Sequence, residues 1–132
     1  MRVLAALALL CCAVMAACAT PPRADDRART CAVLADVFST PSTTMWPQLS
    51  ARDEARTDAM SVAELPRSGY VCGDTTYRDA GRGNQVFREI GFSTDGRYAS
   101  IGLGSADYGQ RCLLRGRDER WRVVGCRMLW IS

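Results

Sequence analysis

The chain has 132 residues, 48% hydrophobic and 23% charged, which is the composition of one ordinary globular domain and excludes a disordered or fibrous polypeptide. Its net charge is only +3, and all 17 basic residues are arginine, with no lysine or histidine. That excludes Ser-His-Asp and Cys-His catalysis, histidine metal sites, lysine Schiff bases and phosphate loops built on Gly-Lys-Ser/Thr.

Met1 and Arg2 form a minimal positive region, and Val3 to Val14 is an uncharged apolar run, the anatomy of a signal peptide. The run is short for a bilayer span, which takes about 20 apolar residues. It leads into Met15-Ala16-Ala17-Cys18, which resembles the lipobox of bacterial lipoproteins: two small residues before a cysteine that is lipidated and becomes the new N-terminus. Only Met15, where leucine is usual, departs from that pattern; Cys11 and Cys12 follow Leu10 and Cys11 and do not fit it. The resemblance implies a signal peptide at 1–17, lipidation of Cys18 and, because Ala19 is not aspartate, release to the outer membrane. Several acyl chains on one cysteine make a stable anchor. Residues 18–24 then read as a lipidated N-terminus and a tether, extended by Pro21-Pro22, and 25–132 as a single domain. The alternative is a plain secretory signal cut near Ala19.

Asp25 to Phe38 reads as a helix, with acids in its first turn and an apolar stripe of Cys31, Leu34, Ala35 and Phe38, closed by Pro41. Between Ser42 and Leu65 the pattern is weak. Ser50-Ala-Arg-Asp53 matches a capping box and predicts a short second helix with a face of Ala51, Ala55, Ala59, Met60 and Ala63. From Pro66 the pattern turns to strands: Tyr70 to Cys72, a Gly81 to Asn84 loop, Val86 to Phe92, the turn Ser93-Thr-Asp-Gly96, and Tyr98 to Leu103. A last pair, Gln110 to Arg115 and Arg120 to Ile131, turns through Gly116 to Glu119. Helices before strands predict an α+β fold, one or two N-terminal helices on a four- to five-stranded antiparallel sheet.

Removal of residues 1–17 leaves 115 residues and, without Arg2, a net charge of +2, too even a balance for nucleic acid. The exception is Arg111, Arg115, Arg117, Arg120, Arg122 and Arg127, which face only Asp118 and Glu119; they are the exposed positions of a hairpin or a surface for anionic envelope components. Four cysteines remain besides Cys18. In an oxidising compartment Cys31, Cys72, Cys112 and Cys126 form two disulfides, with three connectivities open; Cys31 to Cys72 and Cys112 to Cys126 are favoured because the second pair spans one hairpin. The spacings suit no metal site, and no cofactor is implied. Gly81-x-Gly83 and Gly102-x-Gly104 lack the strand-to-helix context of a nucleotide loop, and the adjacent acids Asp53/Glu54 and Asp118/Glu119 point apart.

No catalytic residue stands out. Trp121, Trp130, Tyr98 and Phe92 fall on strands and are expected to pack on the sheet, whereas Tyr70, Tyr108 and Trp46 fall at strand edges or in loops. A binding rim is expected from Tyr108, Trp46 and the hairpin arginines Arg115, Arg117 and Arg120. Expected partners are the membrane, through the lipid, and an envelope protein or glycan.

Ile90-Gly-Phe-Ser-Thr-Asp-Gly-Arg-Tyr-Ala99, Cys112-Leu-Leu-Arg115, Trp121-Arg-Val-Val124 and the ending Met128 to Ser132 together resemble uncharacterised exported proteobacterial proteins with a Phe-Ser-x-Asp-Gly hairpin and a closing Trp-x-Val strand. That resemblance covers the last third of the chain and implies fold more than function. Tyr70-Val-Cys72, Ser105-Ala-Asp-Tyr108 and Cys126 are similar to parts of membrane-bound inhibitors of C-type lysozyme, which implies an inhibitor of a periplasmic enzyme; that family's loop glycine and lysine are missing here. Trp121-Arg-Val-Val124 is also similar to the closing strands of NTF2-like cone folds, which implies a small-ligand site.

Overall fold

The computed structural model describes residues 24–41, 43–79 and 85–131. The segment 1–17, Cys18, the rest of the tether and the Gly81 to Asn84 loop lie outside the described residues. Helix α1 spans Ala24–Phe38. Its buried side is Thr30, Val33, Leu34 and Val37, at i, i+3, i+4 and i+7. The expected stripe is therefore rotated: Leu34 keeps its place, but Ala35 faces solvent and two valines, with more apolar surface to bury, take the centre.

Helix α2 spans Ala51–Asp58 and starts where the capping box predicts. Ser50 Oγ accepts from the Asp53 N–H at 3.2 Å and donates to the Asp53 carboxylate at 3.0 Å. The helix ends before the expected Met60 and Ala63. Val62–Glu64 forms strand β1 instead, since pairing with strand β4 (Val86–Phe92) satisfies its backbone and a further turn faced with alanine would bury little.

Strand β2 (Tyr70–Cys72) pairs with β3 (Thr75–Tyr77), a three-residue strand with no periodic signal of its own. Strands β5 (Tyr98–Gly104), β6 (Tyr108–Arg117) and β7 (Arg120–Ile131) complete an antiparallel five-stranded sheet in the order β1-β4-β5-β6-β7. Two helices with this sheet and the β2-β3 hairpin make the fold α+β, as the order of elements predicts.

Alternation along the strands assigns the two faces. Phe87, Ile90, Ala99, Ile101, Leu103, Cys112 and Leu114 form one core with Val33, Leu34 and Val37 of α1. Leu113, between two members of that core, points to the other face. Helix α2 sits there: Arg56 stacks on Tyr98 at 4.0 Å, and Arg127 Nη1 donates to Asp58 Oδ2 at 3.2 Å. The helices therefore cover opposite faces. Gly125 lets the chain at 47–49 lie against β7, because a Cβ there would stand 2.8 Å from the Pro47 oxygen.

Both favoured disulfides form. Cys31 and Cys72 join α1 to β2 with Cα atoms 5.7 Å apart, and Cys112 and Cys126 are opposite each other on β6 and β7 with Cα atoms 4.0 Å apart. The Cys126 N–H donates to Pro47 O at 2.8 Å and its carbonyl accepts from Leu49 N at 3.1 Å, so its hydrogen bonds point away from β6. Directly opposed residues that exchange no hydrogen bonds come closest in an antiparallel ladder, which favours a cross-strand disulfide.

Chain entropy over sequence separations of 41 and 14 residues makes the double change Cys31→Ala/Cys72→Ala cost about 4 kcal/mol and Cys112→Ala/Cys126→Ala about 3 kcal/mol of unfolding free energy in denaturant titrations. Asp118 and Glu119 close the β6–β7 turn with φ of 51° and 62°. Glu119→Gly should therefore raise stability by roughly 1 kcal/mol, read as a higher midpoint in the same titration.

Candidate functional site

The β6–β7 hairpin runs past the start of β5, to which Gly116 N is bonded through Arg97 O at 2.8 Å. Arg115, still paired with Tyr98 of β5, is opposite Arg122, and on the projecting part Arg117 is opposite Arg120. Residues two apart on a strand, and residues directly across a pair, share a face. All four side chains therefore start from the same face of the hairpin, the one opposite α1, and the Arg120 guanidinium reaches round the edge of β7 toward Asp36.

Little charge within the domain balances them. Asp118 lies 3.7 Å from Arg117 Nε with both side chains about nine-tenths exposed, at 90% and 88%, so solvent screens that pair. Asp36 of α1 lies 3.6 Å from Arg120 Nε, and the Arg120 side chain is 84% exposed. Among the described residues no ion pair forms at Arg115 or Arg122. The arginines line a shallow cleft of about 590 Å³ together with Asp118, Trp121, Val123 and Val124.

On the opposite side of the hairpin, Trp121 is held by α1. The Trp121 backbone N–H, on the outer edge of β7, donates to Asp36 Oδ2 at 2.6 Å. The indole crosses Gly116, where a Cβ would come within 2.9 Å of the ring, and meets the Phe92 ring edge-on at 5.7 Å. A second groove of about 360 Å³ separates β7 from the end of α1 and is lined by Asp36, Thr40, Trp46, Arg120, Trp121 and Val123. Trp46 thus joins Arg120 at the tip, as the rim requires.

Tyr108 does not. It begins β6, nine residues from Arg117 and so about 30 Å away along the strand, and its hydroxyl is hydrogen-bonded by the Gln85 amide. Ser105, before it, is buried. Tyr70 lies beneath the Arg27 guanidinium at 5.7 Å. Of the strand aromatics, Phe92 and Trp121 pack against the α1 core, Tyr98 lies under Arg56, and Trp130 departs from expectation at 43% exposed. The 47–49 segment bonds β7 at Cys126, and the strand continues beyond it with Met128, Leu129, Trp130 and Ile131 all exposed. Their apolar character marks a core in sequence terms, but no periodicity says where the covering layer stops.

The remaining chemistry is sparse. Asp53 is taken up by the α2 cap, and Gly102 and Gly104 lie within β5. Among the described residues no three carboxylates or thiolates converge as a metal site would require, and no helix is long and apolar enough to cross a membrane. Glu89 pairs with Arg111, and Asp58 with Arg127, beneath α2. No protein-family model matches the chain, and no curated protein or solved structure matches it.

The hydrogen bonds from Arg127 hold the Asp58 carboxyl below its ordinary value of 3.8, outweighing slight desolvation. A carboxyl lowered on folding adds stability that is present above 3.8 and disappears as pH falls through the folded value. Asp58→Asn should therefore unfold at lower denaturant than the parent chain near neutral pH. The gap should close in acid, as equilibrium unfolding across pH would show.

Proposed function

We propose that this chain is a lipid-anchored protein of the bacterial envelope, on the periplasmic side of the outer membrane, that binds an anionic envelope component at the β6–β7 tip without catalysis. The observation that carries the binding half is the set of four arginines rooted on one face, two of which have no carboxylate partner among the described residues. Guanidinium groups stay protonated and have no acceptor, so they supply charge and directed hydrogen bonds but neither accept nor relay a proton. A sequence without histidine or lysine offers neither of those bases here, and the neighbouring carboxylates Asp36 and Asp118 are paired with Arg120 and Arg117.

The envelope half rests on Met15-Ala16-Ala17-Cys18 and on cysteine usage. Every cysteine after Cys18 is in a disulfide, as suits an oxidising compartment, and Cys18 is left for the lipid. Arginine and tryptophan are common at binding hot spots, and Trp46, which lines a groove with Arg120, extends this surface toward α1.

Intact mass of protein extracted from membranes, with free thiols blocked before reduction, tests this reading. A chain beginning at Cys18, carrying acyl groups and no blocked thiol, is expected. A chain without acyl groups, or one with any of Cys31, Cys72, Cys112 and Cys126 blocked, overturns it.

A further inference from the structure

The geometry points to a specific occupant for the tip: the anionic phosphate headgroups of the membrane that carries the anchor. The inference rests on the lipid-anchor reading for which membrane is met, but its chemistry stands on the hairpin alone. Like charges directly opposite across two strands destabilise a sheet, and here two such pairs, Arg115 with Arg122 and Arg117 with Arg120, are stacked in succession. A surface of phosphates would neutralise both pairs at once, each phosphate accepting from a guanidinium fork.

The position of the tip agrees. Along α1, the Arg29 guanidinium lies on the Phe92 ring at 4.7 Å and against Gly96 of the β4–β5 turn. Arg97, next in that turn, accepts from Gly116 N of the projecting hairpin. Arg29, in the first half of α1, therefore lies at the end of the sheet from which the arginine hairpin projects, while Asp36 further along the helix reaches Arg120 itself. Cys18 is six residues before Ala24, a reach of at most roughly 20 Å. An anchor so short keeps the domain close to the bilayer, and four arginines near an anionic surface add to a lipid anchor as a polybasic second signal does.

The test uses residues 18–132, the chain left once the signal peptide is removed, with Cys18→Ala so that neither an acyl group nor the apolar run of 3–14 contributes, and measures co-sedimentation with phosphatidylcholine vesicles with and without one-third phosphatidylglycerol. Binding is expected only to the anionic vesicles and should weaken with added salt. Arg115→Gln/Arg122→Gln should lower the partition coefficient about fivefold per arginine, roughly 25-fold together. Its thermal midpoint should hold or rise, because repulsion is relieved. Arg67→Gln/Arg78→Gln removes the same charge beside β1 and β3, away from the tip, and should leave binding within about twofold. Equal losses in both double variants, no preference for anionic vesicles, or saturable binding of inorganic phosphate without vesicle binding would each overturn the proposal. Because acylation is absent from this assay, its result is independent of the mass measurement that tests the anchor.

Discussion

Cys112 and Cys126 are opposed at a point where the Cys126 backbone is bonded outward, to Pro47 and Leu49, and not to β6. That one cross-strand position organises much of the domain. It fixes which faces of β6 and β7 turn toward α1, since a slip of one residue would send each side chain to the other face. It also docks the 47–49 segment that leads into α2, so the two helical layers are positioned from the same residue.

The same constraint explains the arginine face. A two-residue turn at Asp118 and Glu119 puts Arg117 opposite Arg120, whereas the ladder counted from the disulfide would put Arg117 opposite Trp121. The two registers differ by one residue, and a bulge at Val124 of β7, left unpaired between the partners of Leu113 and Leu114, absorbs the difference. Beyond the bulge the β7 side chains are re-aimed: Trp121 lands on the α1 face over Gly116, and Arg120 and Arg122 land opposite Arg117 and Arg115. The cost is like charge against like charge on a projecting hairpin. Natural sheets bear such costs chiefly where a partner relieves them.

Much of the frame was legible because local rules and the tertiary structure agree. The Ser50 cap has its oxygen three residues from the amide it binds, Ser93-Thr-Asp-Gly96 carries its own turn chemistry with Gly96 at φ 71°, and the four cysteines pair as hairpin geometry suggests. Where local signals were weak, packing decided. Strands β1 and β3, three residues each, exist through their neighbours' hydrogen bonds, and the stripe of α1 rotated to seat Val33 and Val37 on the sheet. Tyr108 and the hairpin arginines are close in sequence, yet a strand separates its ends as it extends, so they do not form one rim.

By itself the sequence determined the fold class, the disulfide-bearing elements, the absence of histidine and lysine chemistry, and the presence of an arginine-rich hairpin, because each of these is written in residue type and short-range spacing. Only the tertiary structure decided that those arginines face one another, that Asp36 holds Trp121 on the α1 side of the hairpin, and that Trp130 is left uncovered. Those outcomes depend on a one-residue bulge and on contacts such as Asp36 with Trp121, 85 positions apart. A register mismatch between a turn and a disulfide has no local sequence signature, and neither does the point at which a covering layer ends.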